Sequence, residues 1–161
     1  MKHLWSPWRM KYILQSERPP GCIFCSAVEQ DNDFENLIVA RGRLAFVILN
    51  RFPYTTGHLM VVPYVHRPSL EDLTVETRAE IMDLINHSMA VLRLAYQSPA
   101  FNLGANIGAA AGAGVADHFH FHVVPRWPGD SNFMTTVSQT RVLPEMLDET
   151  LQRLLGKWHA V

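Results

Sequence analysis

His118-Phe119-His120-Phe121-His122-Val123-Val124 alternates imidazole with apolar side chain. On a strand, successive side chains point to opposite faces. Three imidazoles would therefore line one face while Phe119, Phe121 and Val123 face a core. With 8 histidines in 161 residues, chance placement at three chosen alternate positions is about 10⁻⁴ per starting point. A lone buried histidine is most often structural; three in register call for chemistry. Two readings fit. The imidazoles bind a metal, as HxH pairs do on strands, or one of them is a nucleophile or base near neutral pH, supported by the others. Neutral imidazole suits attack on phosphate, because it does not suffer the repulsion that an anionic nucleophile meets.

Immediately upstream, Asn106-Ile107-Gly108-Ala109-Ala110-Ala111-Gly112-Ala113-Gly114-Val115 is built from small residues. Such a stretch leaves backbone N–H groups open to phosphate oxygens. A flexible loop would look the same; its position beside the histidines is what gives it weight.

Working outward, apolar runs at 37–40 and 44–49 flank Gly42 and predict a hairpin. The polar, proline-bearing loop 50–57 leads to a third strand over 58–63. Thr74 is a candidate N-cap for a long helix whose Ile81, Leu84, Ile85, Met89, Leu92 and Tyr96 recur at three- and four-residue spacing, and Ser98-Pro99 stops it. Strands over 101–107 and 118–124 follow, the latter ended by Pro125. Pro144 starts a last helix, with Leu147, Leu151, Leu154, Leu155 and Trp158 on one side. The first 36 residues, broken by Pro7, Pro19, Pro20 and Gly21, read as irregular. This order predicts an α+β domain: a mainly antiparallel five-stranded sheet packed with one long helix and a C-terminal helix.

The length, 161 residues, suits one compact domain, and 48% hydrophobic with 18% charged residues is a globular composition. A net charge of -1 gives no electrostatic case for wrapping a nucleic-acid polymer. The N-terminus lacks the apolar core of a signal peptide, and no apolar run approaches the ~20 residues of a membrane span. No membrane is expected as a partner, and the cytoplasm is the expected location. Cys22 and Cys25, three positions apart, cannot form a disulfide framework. They are a redox pair, half of a metal site, or a plain buried pair.

His-Phe-His-Phe-His-Val-Val resembles the signature of the histidine-triad (HIT) superfamily. Leu49-Asn50-Arg51-Phe52-Pro53, Gly57-His58-Leu59-Met60-Val61-Val62-Pro63 and Val124-Pro125-Arg126 extend the match. The flanks Leu4-Trp5-Ser6-Pro7-Trp8-Arg9-Met10 and Pro125-Arg126-Trp127-Pro128-Gly129-Asp130-Ser131-Asn132-Phe133 are similar to a bacterial branch that includes diadenosine polyphosphate phosphorylases. The resemblance implies a single HIT-like domain over 1–161, with a core at about 22–127 between N- and C-terminal extensions. It also implies a homodimer and a nucleotide substrate, either an adenine dinucleotide or a nucleoside phosphate. The nucleotidyl group would be carried on His120, with His122 and His58 completing the catalytic set. Asn50 would hold the ribose, and Asn106, Gly112 and Gly114 the phosphates. Zinc-bearing relatives imply that Cys22, Cys25, His66 and His118 hold a structural Zn²⁺.

Many hydrolases of the family carry a glutamine and then serine or threonine before the triad; here Gly114 and Val115 stand there. Transfer to water is the expected second step, with phosphorolysis by inorganic phosphate a close alternative. A non-catalytic nucleotide-binding protein is a further alternative, against which the intact His120 argues. A metal oxygenase built on the HxH pair would want a glutamate shortly after it, and Val123-Val124-Pro125-Arg126-Trp127-Pro128 has none.

Overall fold

The computed structural model describes residues 21–130 and 145–161. Readings that rest on residues 1–20 and 131–144 lie outside the described residues: the Trp-rich flank from Leu4 to Met10, Pro7, Pro19, Pro20, the flank from Ser131 to Phe133, and Pro144 as a helix start.

The chain begins with helix α1 (Ile23–Glu29), then strands β1 (Ile38–Arg41), β2 (Ala45–Leu49) and β3 (Leu59–Pro63). The long helix α2 (Val75–Tyr96) precedes β4 (Ala100–Gly104) and β5 (Phe121–Arg126), and α3 (Leu147–Trp158) follows. All five strands join one sheet in the order β1-β2-β3-β5-β4, antiparallel throughout. The α+β expectation holds. β2 and β3 are buried along their whole length, so both faces of the sheet centre are covered and their runs are apolar without alternation.

The β1–β2 turn is held from α2. Glu80 accepts from the Leu44 N–H at 2.7 Å, and a Cβ on Gly42 would come within 2.5 Å of the same Glu80 oxygen. Gly42 is therefore required by close approach. Thr74 caps α2 as expected, accepting from the Thr77 N–H at 3.2 Å. Ile81, Ile85, Val91 and Leu92 bury the inner face of α2, which packs on β2, β3 and β5. On α3, Leu151, Leu154 and Trp158 are buried, whereas Leu155, placed on that side by spacing, is 40% exposed. At 100° per residue Leu155 lies a full step round from Leu154, past the edge of the stripe. His87 of α2 closes the far end of α3, donating from Nε2 to the Trp158 carbonyl at 2.7 Å. Tyr96, Thr150 and Arg153 all donate to Glu145 and tie the start of α3 to the end of α2. Among the described residues, no helix is long and apolar enough to cross a membrane.

Three expectations are corrected. Residues 23–29 are helical, not irregular: Cys22 is the N-cap and Phe24 and Ala27, one turn apart, are buried. β4 is shorter, Ala100–Gly104 instead of 101–107, because the chain leaves the ladder after Gly104 pairs with His122. The triad strand runs from Phe121 to Arg126 instead of 118–124. The residues ahead of it bond to the end of β3 and the segment beyond: His118 donates to the Pro63 carbonyl and the Phe119 N–H to the Arg67 carbonyl. Pro125 continues the strand. Its carbonyl accepts from Thr55 Oγ1 at 2.9 Å, on the side where β3 has already ended at Leu59, so no ladder donor is lost.

Candidate functional site

His122 is the triad member inside β5, opposite Met60 of β3 and Gly104 of β4. His120 and His118 precede the strand and are 5% and 1% exposed. The imidazoles form two groups. His66 meets His118 with ring centres 4.8 Å apart, whereas His120 meets His122 at 5.0 Å and His122 meets His58 at 5.1 Å. His58 comes from the start of β3 and is fully buried.

Hydrogen bonds set which nitrogen of each ring carries the proton. The Tyr54 N–H can only donate, and it points at His58 Nδ1 at 3.1 Å. Nδ1 therefore accepts and the His58 proton sits on Nε2. That Nε2–H donates to His122 Nδ1 at 3.0 Å, so the His122 proton sits on its own Nε2. His120 Nδ1 faces the His118 carbonyl at 2.9 Å and must donate to it. Its Nε2 is left with the lone pair. Burial lowers the pKa of His120 below the usual imidazole value, only partly offset by the bond to the His118 carbonyl. A neutral ring with one nitrogen locked and the other bare is the form a nucleophile needs.

Asn50 turns inward. Its Oδ1 accepts from the Phe52 N–H at 2.9 Å and its amide lies 3.4 Å from His58 Nδ1. Asn106 is half-buried in the loop that follows β4. In that loop the N–H groups of Ala111, Gly112 and Ala113 donate to the carbonyls of Gly108 and Ala109, closing a short 3₁₀ turn. The Gly112 N–H is thus already engaged, and what this glycine supplies is a left-handed φ of 86°. Gly114 is half-buried between this turn and His118. Arg126, a candidate source of positive charge beyond the strand, pairs with Asp130 and donates to Asn102. Its charge is spent locally.

The second cluster comprises Cys22, Cys25, His66 and His118, with all four donor atoms within 4.8 Å of one another. His118 Nδ1 lies 3.2 Å from Cys22 Sγ and 3.7 Å from Cys25 Sγ, and His66 Nδ1 lies 3.4 Å from Cys25 Sγ. Zn–S and Zn–N bonds of about 2.3 and 2.0 Å put tetrahedral S···N edges near 3.5 Å. The three S···N distances above bracket that value. His118 Nε2–H donates to the Pro63 carbonyl at 2.9 Å, so Nδ1 is free to ligate and its ring is oriented from outside. Burial and the adjacent Cys22 raise the Cys25 thiol above its ordinary value, the direction a bound cation reverses. A helix does start at the cysteine pair, as a redox pair would want, but the sheet is antiparallel and offers no βαβ setting.

Sequence reasoning missed two residues. Tyr54 lays its ring against His58 and His122, with centres 4.7 and 6.1 Å away. Phe24 packs on His118 and His120. The apolar spacing of Phe24 and Ala27 carried a signal for the second; nothing local marked the first.

The chain is 40% identical over 165 residues to an AP-4-A phosphorylase of Mycobacterium tuberculosis, covering 98% of this chain and 85% of that one. It is 30% identical over 106 residues to an adenosine 5'-monophosphoramidase of Schizosaccharomyces pombe, covering 66% and 74%. Among solved structures, a Zn-bound histidine triad family protein from Mycobacterium smegmatis superposes with a TM-score of 0.70 at 26% identity, covering 87% of this chain and 94% of the other. The HIT domain model matches residues 32–129, and by that match, with its triad and its sheet, this chain belongs to the HIT-domain family.

Proposed function

We propose that this enzyme transfers the nucleotidyl group of a dinucleoside polyphosphate to inorganic phosphate through a covalent intermediate on His120. The observation that carries the reading is the lock on His120: Nδ1–H held by the His118 carbonyl at 2.9 Å, with Nε2 bare. In the first step Nε2 attacks the α-phosphorus. An N–P bond forms, the P–O bond to the rest of the polyphosphate breaks, and the polyphosphate leaves as an anion whose departing oxygen accepts a hydrogen bond from His122 Nε2–H, which keeps its proton. His120 keeps its Nδ1–H throughout, so the phospho-imidazolium charge sits against a carbonyl dipole. In the second step a phosphate oxygen attacks the same phosphorus and the N–P bond breaks, releasing a nucleoside diphosphate. With diadenosine tetraphosphate the products are ATP and ADP.

The 40% identical phosphorylase supports phosphate as the acceptor. So does Gly114, which leaves room where many relatives place glutamine. Hydrolysis, which would give AMP with ATP, is the second reading. Asn50 is assigned to the ribose, since it retains one amide hydrogen and an acceptor lone pair beyond its bonds to Phe52 and His58. Asn106 and the glycine loop with Gly114 are assigned to the phosphates, and Gly112 shapes the turn that presents them. Cys22, Cys25, His66 and His118 would hold Zn²⁺, which would supply a structural clip with no open coordination position. The enzyme is proposed to act as a homodimer, for which the exposed edge strand β4 and its 45% exposed Leu103 leave a surface.

The test is to incubate the protein with diadenosine tetraphosphate, with and without inorganic phosphate, and to identify products. Phosphate-dependent ADP with ATP is expected. AMP with ATP at every phosphate concentration would replace phosphorolysis by hydrolysis, and no cleavage would remove the reading altogether.

A further inference from the structure

Between Cys22 and Cys25 lie two residues with opposite fates. Ile23 is 47% exposed, whereas Phe24 is 2% exposed. Its ring meets His118 edge-on, centres 5.4 Å apart and planes at 75°, and meets His120 at 5.1 Å and 46°. One of these rings presents Nδ1 to the two cysteines, and the other is the nucleophile assigned above.

A single hydrogen bond, from Nδ1–H to the His118 carbonyl, fixes one point of the His120 ring but leaves rotation about that point to be controlled by packing. Two walls do so. His122 stands on one side at 5.0 Å and 78°, and Phe24 stands against the ring as well. Phe24 is carried by a helix of only 7 residues whose N-cap and third residue are the cysteines. Whatever holds the cysteines to His66 and His118 therefore also holds the Phe24 ring in place.

We propose that Phe24 is a positioning residue that aims the His120 ring and carries the state of the Cys22–Cys25–His66–His118 cluster to the nucleophile. This rests on His120 as the nucleophile, and of the cluster's two routes to it, this packing and the His118 carbonyl, the packing carries the larger share. A near-attack geometry tolerates little error, and a misplacement of ~1 Å costs up to ~100-fold in rate. Loss of the wall should therefore lower kcat while leaving the affinity for a nucleotide held elsewhere.

The experiment uses Phe24→Leu in the full chain, with Phe24→Met, whose unbranched side chain adapts to irregular gaps, as a second variant should the first unfold. Three readouts are taken with zinc supplied and after chelation: zinc content, kcat and KM for diadenosine tetraphosphate, and the imidazole ¹H–¹⁵N spectrum. In the zinc-loaded variants kcat should fall ~10-fold or more with KM within ~2-fold and zinc content unchanged. The His120 Nδ1–H resonance should broaden or exchange, while the His58 and His122 signals stay. Chelation of the wild-type protein should reproduce both changes, and chelation of the variants should add little. Unchanged kcat, a rise in KM alone, an unchanged His120 resonance, or equal losses on chelation in wild type and variants would each overturn the proposal. The spectrum reports the His120 ring even if another residue proves to be the nucleophile. The two assignments thus fail separately: an active His120→Ala sinks the first, a still His120 resonance the second.

Discussion

Replacing His58 by leucine tests the direction of the proton row. The imidazole is fully buried, accepts from the Tyr54 N–H and donates to His122 Nδ1. Leucine fills similar volume but does neither. The Tyr54 N–H loses its acceptor, a burial cost of about 1–3 kcal/mol, and repacking adds ~1 kcal/mol. Urea denaturation should therefore show a loss of about 2–4 kcal/mol, within the 5–15 kcal/mol that domains usually have, and the variant should still fold. The chemical effect is separate. Without the donor, His122 Nδ1 is free to take the proton, leaving Nε2 bare and unable to donate a hydrogen bond to the leaving oxygen. One such donor to a developing oxyanion is worth ~10²–10³-fold, so kcat on diadenosine tetraphosphate should fall by about that factor. The imidazole ¹H–¹⁵N spectrum should show the His122 proton moved from Nε2 to Nδ1. Kinetics and spectrum together decide the matter. A His122 proton still on Nε2 would mean that His58 serves binding or folding and that the tautomer chain is wrong.

His120→Ala should abolish turnover and leave nucleotide binding by calorimetry intact, and added imidazole should restore activity to His120→Gly; retention of more than about a tenth of wild-type kcat would sink the nucleophile assignment. Cys22→Ser should lower zinc content below one per chain and depress Tm; a protein purified without added zinc that held none and lost no stability on chelation would remove the metal clip. His87→Ala removes the 2.7 Å bond to the Trp158 carbonyl and the ring packed 4.5 Å from Trp158, and should cost about 1.5–3 kcal/mol in urea without altering KM; a change under ~0.5 kcal/mol would show that α3 needs no such cap. Gly114→Gln should suppress phosphate-dependent ADP formation more than any phosphate-independent cleavage, and equal loss of both would place Gly114 in general substrate binding.

The fold was legible wherever one local signal sufficed. Thr74 announced α2 because its hydroxyl has a single job at a helix start, and Gly42 announced the hairpin because a Cβ there would come within 2.8 Å of the Ala45 carbonyl. α1 was not legible. Seven residues show too few apolar repeats to be told from a loop, and the helix is held by what Phe24 and Ala27 bury against distant chain. Leu37 adopts φ 61° just ahead of β1, a conformation no leucine advertises. The alternation of the triad suggested one regular strand, yet only its last histidine lies in the ladder. Local period records which way side chains point. It does not record whether the backbone opposite is still there to pair.

The candidate site divides along the same line. Residue types pointed to the two clusters that the fold assembles, His58 with His120 and His122, and Cys22 and Cys25 with His66 and His118, since few arrangements other than chemistry place histidines and cysteines at such spacings. Protonation states were hidden, because they depend on a backbone N–H four residues from His58 and on the carbonyl of His118. His118 shows why the two clusters cannot be treated apart. Its ring faces the cysteines through Nδ1 and the Pro63 carbonyl through Nε2, while its own carbonyl holds His120, the proposed nucleophile, two residues on. The peptide unit that orients His120 therefore belongs to the residue that the cysteine cluster and β3 pin from either side. A substitution in that cluster is consequently expected to move the His120 ring without touching substrate. Intact chemistry in a protein whose His118 ring had been released would mean that the His120 lock comes from somewhere other than this carbonyl.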